Sequence, residues 1–356
     1  MNNKKILIYP YDADYEVFLR YNNLQNHFDF SFLIYGYDIR NQYENNNTCF
    51  VRELSKDIIR NTDYIYITES AEKLSVDIVL SVLGNFVGAG KKVLVSDEYT
   101  GKPDITDFCE SNDIEFVEVD NLKKVLNIAD KPDLKFTKIQ KINTPIISIF
   151  GLSPNSQKFE FQLYLRQVFM NKGYKVGQIG SRHGCEILGF HSYPDFMTNK
   201  MYTEKEKIYL YNNFIKEIEL NENPDVIIIS APNAIMPLSN QQHFNFGIDA
   251  YEICNAIRSD FVILTALNGE YNDDFYQEIT TVCKYKHNFE IDMFFISDYV
   301  AISHSLEDEQ VSFSKTDVKK NISETFKVCN STDIQNDTLA NIVENTLLDY
   351  NEFMQF

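Results

Sequence analysis

The sequence has 356 residues and a formal net charge of −19, from 52 acidic and 33 basic side chains, with 44% hydrophobic and 24% charged residues. This is the composition of a globular protein long enough for two domains, and its acidic surface repels phosphates, so neither nucleic acid nor an anionic membrane is an expected partner. No apolar run reaches the roughly 18 residues of a membrane span, and Met1-Asn-Asn-Lys-Lys leads straight into ILIYP without a cleavable signal pattern, so a cytoplasmic location is expected.

Residues 1–120 alternate between short apolar runs and helical spacing. Lys5–Pro10, Phe30–Tyr35, Tyr64–Thr68, Lys92–Ser96 and Ile114–Val119 read as buried strands. Between them, Asp14–Leu24, Val51–Asn61, Ser75–Gly88 and Ile105–Ser111 have helical periodicity. Strands alternating with helices predict a parallel sheet covered on both faces, a flavodoxin-like or Rossmann-like domain. No G-x-G-x-x-G follows the first strand, so a dinucleotide cofactor is not expected there. Asp12 and Asp14 read as caps of the next helix, and Arg20 with Tyr21 as candidate contacts. Asn45–Asn47 reads as a loop tip. Residues 121–143, rich in Lys and Asp and without a strong period, form the expected linker.

The alternation restarts at residue 144 and continues to 356. Pro145–Phe150, Tyr174–Gly180, Asp225–Ser230, Phe261–Leu267 and Ile291–Ser297 read as strands. Lys158–Asn171, Tyr202–Asn221, Phe246–Arg258, Asp273–Lys286 and Thr338–Tyr350 read as helices. Within this second domain, Gly151-Leu-Ser-Pro-Asn-Ser-Gln-Lys158 joins a buried strand to a helix, and a helix N-terminus offers unpaired N–H groups and partial positive charge to a phosphate. Gly151, Ser153, Asn155, Ser156, Gln157 and Lys158 are therefore candidate ligands of ATP or another phosphate-bearing molecule.

The common G-x-x-x-x-G-K-[ST] pattern is not met. The longer spacing resembles the loop of dethiobiotin synthetase and its relatives, G-T-x-x-x-x-G-K-T, and that resemblance implies a P-loop NTPase-like parallel sheet. It puts Lys158 in the place of the phosphate-contacting lysine, Gln157 in that of the glycine and Phe159 in that of the magnesium-binding threonine. Gln157 has a Cβ where the loop wants its freest backbone. Phe159 offers no oxygen to a hard cation. The relatives carry a glutamate at the end of the next central strand; this chain has Ser230, Ala231, Pro232 and Asn233. Both magnesium positions read as eroded, no metal site is expected, and hydrolysis is disfavoured. Asn268, in TALNGE, stands where those relatives recognise a base. Their resemblance also makes a homodimer an open possibility.

A second resemblance covers most of the chain. ILIYPYDADYEVFLRYNNL, GLSPNSQKFEFQLYLR, GSRHGCEILGFHSYPDFM and SAPNAIMPL followed by FNFGIDAYEICNAI are similar to a clostridial peptide maturation system family, found beside precursors of ribosomally made, modified peptides. It implies a role in maturing a peptide natural product, with a precursor peptide, carrier protein or modifying enzyme as partner, and no established reaction.

Further candidates lie in loops at the carboxyl ends of strands, which line the ligand crevice of a parallel sheet. Arg182 can grip phosphate or carboxylate. His183 and Cys185 can act as base and nucleophile, or be a polar loop residue and a packed thiol. His183, Cys185 and His191 match no zinc spacing. Asn233, with Asn240, His243 and Asn245, can read a substrate, a solvated loop being the alternative. The six cysteines form no C-x-x-C pair, which fits a reducing compartment. Three functions stay open: an accessory binding protein of peptide maturation, an ATP-dependent ligase or kinase activating a carboxylate, and a nucleotide-gated regulator.

Overall fold

The computed structural model describes residues 4–11, 15–24, 28–35, 49–51, 54–96, 99–117, 138–237, 246–303, 311–317, 323–331, 333 and 338–353. Asp12, Asp14, Asn45–Asn47, residues 121–137 of the expected linker, Asn240, His243 and Asn245 lie outside them. The chain is a two-domain α/β protein. It separates into one unit of Met1–Asp130 with His183–Phe190, and another of Lys131–Arg182 with His191–Phe356.

The first unit holds strands β1 (Lys4–Tyr11), β2 (Phe28–Tyr35), β3 (Cys49–Val51), β4 (Tyr64–Ile67), β5 (Lys92–Val95) and β6 (Glu115–Val117). All pair in parallel in the order β3-β2-β1-β4-β5-β6, which is the Rossmann order rather than that of flavodoxin. Short helices α1 (Glu16–Arg20), α2 (Lys56–Asn61), α3 (Val76–Gly84) and α4 (Lys102–Ser111) connect them. Leu7, Ile65, Ile67, Val93 and Val95 from alternate strand positions pack with Val79 and Leu83 of α3 and Ile105 of α4. The helix expected from Val51 begins only at Lys56, where Ser55 caps it by accepting from Ile58 N at 3.3 Å, and Val51 belongs to β3.

The second unit holds β7 (Ile146–Gly151), α5 (Lys158–Asn171), β8 (Val176–Ile179), α6 (Asp195–Thr198), α7 (Glu204–Glu222), β9 (Val226–Ala234), α8 (Ile248–Ala256), β10 (Phe261–Ala266), α9 (Asp273–Val282), β11 (Met293–Ile296), β12 (Tyr299–Ser303), β13 (Val311–Lys315), β14 (Val328–Asn330) and α10 (Thr338–Phe353). The sheet order is β14-β11-β10-β7-β9-β8, all parallel, with β7 between β9 and β10. Strands β7, β10 and β11 are buried along their whole length and mostly apolar, as a sheet covered on both faces requires. β12 and β13, unforeseen in the sequence, form a separate antiparallel hairpin. A capping box on Thr203 and Glu206 starts α7 two residues later than periodicity suggests.

An aspartate precedes four of the parallel strands and serves one purpose. Asp63, Asp225, Asp260 and Asp292 each accept the N–H at the start of a neighbouring strand, from Lys5, Lys175, Ile146 and Val262, at 2.7–2.9 Å. Each satisfies a backbone donor that the ladder leaves open.

Candidate functional site

The site begins where β7 ends. A Cβ on Gly151 would lie 2.8 Å from Ser156 Oγ and 2.9 Å from the Ser153 carbonyl, so the loop folds back over a position that only glycine fits. Ser156 Oγ donates to Ser153 O at 2.9 Å and stands 2.6 Å from Thr265 Oγ1 on β10. Leu152 N donates to Thr265 O at 2.7 Å, pinning the loop to the same strand.

Two loop residues, Asn155 (φ 52°) and Gln157 (φ 59°), are left-handed although neither is glycine. Gln157 is held by its own side chain, which accepts from Asp298 N at 2.9 Å and donates to Glu160 at 3.2 Å. Gln157 thus takes up glycine-like backbone although it carries a Cβ. Side-chain hydrogen bonds offset part of that strain.

Lys158, the first residue of α5, is 8% exposed. Its Nζ donates to the carbonyls of Pro232 at 2.5 Å and Asn233 at 2.9 Å, both at the end of β9. Burial pushes its ammonium down to about 7, with the charge of Asp249 pulling the other way. Asp249, in the first turn of α8, accepts from Asn233 Nδ2 at 2.7 Å and from the Tyr193 hydroxyl at 3.0 Å. Burial first, then Asp249, holds the Tyr193 phenol well above its usual range.

Of the positions expected to have lost magnesium ligands, Phe159, Ala231 and Pro232 have no side-chain oxygen. Phe159 lies under the Arg182 guanidinium, 5.3 Å from the ring centroid. Ser230 is fully buried and donates to Ile149 O at 2.6 Å. Ala231 and Pro232 have only backbone carbonyls, and the Asn233 amide serves Asp249. Among the described residues, no group of three or more His, Cys, Asp or Glu side chains is placed to hold a metal ion.

The remaining candidates are dispersed. Asn268 is buried and donates to Asp317 O at 2.8 Å, so its amide braces the chain beyond the hairpin. His183 groups with the first unit, and Cys185 is a fully buried thiol rather than an exposed nucleophile. His191 is engaged by Glu222 at 2.5 Å. Arg182 meets the start of α5 through the ring of Phe159. Asp249 and Tyr193 are members of the candidate site that sequence reasoning misses. An acidic residue in a helix's first turn reads as ordinary dipole compensation, and nothing local marks a tyrosine as its donor.

No protein family and no curated protein matches the sequence. Among solved structures, the chain is similar to a DUF1611 family protein from Anabaena variabilis, with a TM-score of 0.50 and 9% identity over 83% of this chain and 88% of that one. At that identity the likeness bears on the fold alone. A putative oxidoreductase from Bacteroides fragilis is matched over 49% of this chain and 55% of that one, at 13% identity and a TM-score of 0.26, which supports no comparison. Among the described residues, no helix is long and apolar enough to cross a membrane.

Proposed function

We propose that this chain is an accessory binding protein in the maturation of a ribosomally made peptide, and that its P-loop-like unit is an anion-holding scaffold without hydrolytic activity. One observation carries the second half. The Lys158 ammonium is bound by the Pro232 and Asn233 carbonyls, at the strand end where a hydrolase needs oxygen ligands for a metal. A cation tethered there by the protein itself, beside Phe159 where a hydroxyl would sit, gives electrostatic attraction for an anion without a means of activating water. The first half is supported by the sequence resemblance over most of the chain. On this reading the protein works in the cytoplasm, and its partner is a precursor peptide, a carrier protein or a modifying enzyme.

A second reading, a nucleotide-gated regulator, is favoured by the backbone of the loop. Left-handed residues at 155 and 157, separated by one that is not, follow the alternation from which anion-binding nests are made. Thermal shift with inorganic phosphate, ADP and ATP distinguishes the two. Stabilisation by phosphate and nucleotides alike, lost in Lys158→Ala, supports an anion scaffold; stabilisation by nucleotides alone supports the regulator. Binding of the purified precursor peptide from the neighbouring genes, measured by calorimetry, tests the peptide-maturation role, and no binding of peptide, carrier or modifying enzyme removes it.

A further inference from the structure

One helical turn beyond Asp249 lies a second acid with a different environment. Glu252 on α8 is 1% exposed, and among the described residues neither of its oxygens finds a hydrogen-bond partner. Lys207 on α7 stands 3.6 Å from Oε1, outside good hydrogen-bond distance. Burial pushes the Glu252 carboxyl up to about 7; Lys207 opposes this, while Asp249 and Glu204 add to it. The Tyr193 hydroxyl that donates to Asp249 also feels Tyr211 and Glu252, and the buried Tyr211 hydroxyl has no partner among the described residues.

Asp249 and Glu252 therefore share one face of α8, packed against α7. With a proton on Glu252 the face carries one negative charge, and that charge is fixed by Asn233 and Tyr193. Without it, a second buried and unsolvated carboxylate appears next to the first. Such a group is strongly disfavoured and draws water between the helices. Asp249 holds the Asn233 side chain, and the Asn233 carbonyl holds Lys158, so the seat of α8 and the lysine site are mechanically continuous.

We propose that Glu252 is a proton-operated control on the Lys158 site: protonated, it keeps α8 seated and adds no charge; ionised, it loosens α8 and opposes anion binding. The anion half rests on the functional reading above, whereas the seating of α8 does not.

The test is amide hydrogen exchange at Ile248–Ala256 from about pH 5.5 to about pH 8.5, corrected for intrinsic rates, in the native chain, Glu252→Gln and Lys207→Met. The native chain is expected to lose about tenfold or more of its protection as pH rises through neutrality. Glu252→Gln should show no such loss. Lys207→Met should move the midpoint to higher pH, because removing the opposing cation raises the carboxyl further. A pH-independent native α8, an unchanged loss in Glu252→Gln, or a midpoint moving downward in Lys207→Met overturns the proposal. If Glu252→Gln does not fold, the direction of the Lys207→Met shift decides. Calorimetry with inorganic phosphate over the same range separates the two claims. The Lys158 ammonium also titrates near 7. The control therefore predicts a steeper fall of phosphate affinity with pH in the native chain than in Glu252→Gln. An equal fall in both, or affinity that rises with pH, overturns it. A pH-sensitive α8 in a chain that binds no phosphate removes the anion scaffold and leaves the seating of α8 by Glu252 supported.

Discussion

The ammonium of Lys158 lies 2.5 Å from the carbonyl oxygen of Pro232, so the side chain that opens α5 is fastened to the end of β9. The contact ties the loop after β7 to its neighbouring strand. The lysine's protonation state therefore makes stability depend on pH.

Lys158→Met should remove a pH dependence that the native chain possesses. The folded-state value is lowered to about 7 from an ordinary 10.5, so between these pH values the unfolded chain binds the extra proton. Native stability accordingly rises with pH across this window, and the contribution is lost as pH falls towards about 7. Urea unfolding of both chains from about pH 7 to about pH 9.5 should give a difference that grows with pH by a few kcal/mol. A difference constant with pH would mean that the lysine is not desolvated.

At Gln157 the backbone and the side chain make separable contributions. Gln157→Ala keeps the left-handed strain and loses the bonds to Asp298 and Glu160, whereas Gln157→Gly loses the bonds and the strain together. The glycine variant should be more stable than the alanine variant by about 1 kcal/mol in denaturant unfolding. Equal stabilities would contradict the strain.

Acid should weaken the second unit through His287. Its ring is fully buried, both nitrogens lack partners among the described residues, and burial, then Lys286, depresses it to about 4. The unfolded chain takes up the proton near 6.5, so this stability is complete above that pH and is lost as pH falls towards 4. The loss is at most about 3 kcal/mol. In His287→Leu, unfolding measured from about pH 7 to about pH 4 should lack this loss.

Asp260→Ala should destabilise the chain by about 1–3 kcal/mol, because Ile146 N at the start of β7 loses its acceptor at 2.8 Å. Asp260→Asn, which keeps an acceptor oxygen, should recover part of that loss in the same unfolding assay.

The strand–helix alternation is legible in the sequence because strands buried on both faces are short apolar runs, and runs such as PIISIF and DVIIIS have no competing period. β3 and β14 are not legible: three residues are too few to establish any period, and Val51 also fits the apolar spacing of the helix after it. The hairpin of β12 and β13 mixes polar and apolar positions and packs as a separate pair. At the site, Gly151 and Lys158 are legible from the strand–loop–helix junction alone. The role of Asp249 is not, because it depends on α8 returning beside the end of β9, which is a property of the sheet order. Sequence also cannot tell that Asn268 and Ser230 turn their polar atoms onto backbone carbonyls, since the partners lie on other segments.

ATP turnover with excess Mg²⁺, compared between the native chain and Lys158→Ala, tests most directly whether the site holds anions without hydrolysing them. The Lys158–Pro232 pairing and the absence of side-chain oxygens at Phe159, Ala231 and Pro232 predict the same background rate for both chains. Sustained Mg²⁺-dependent turnover at about one per second or faster in the native chain, abolished by Lys158→Ala, would contradict the account.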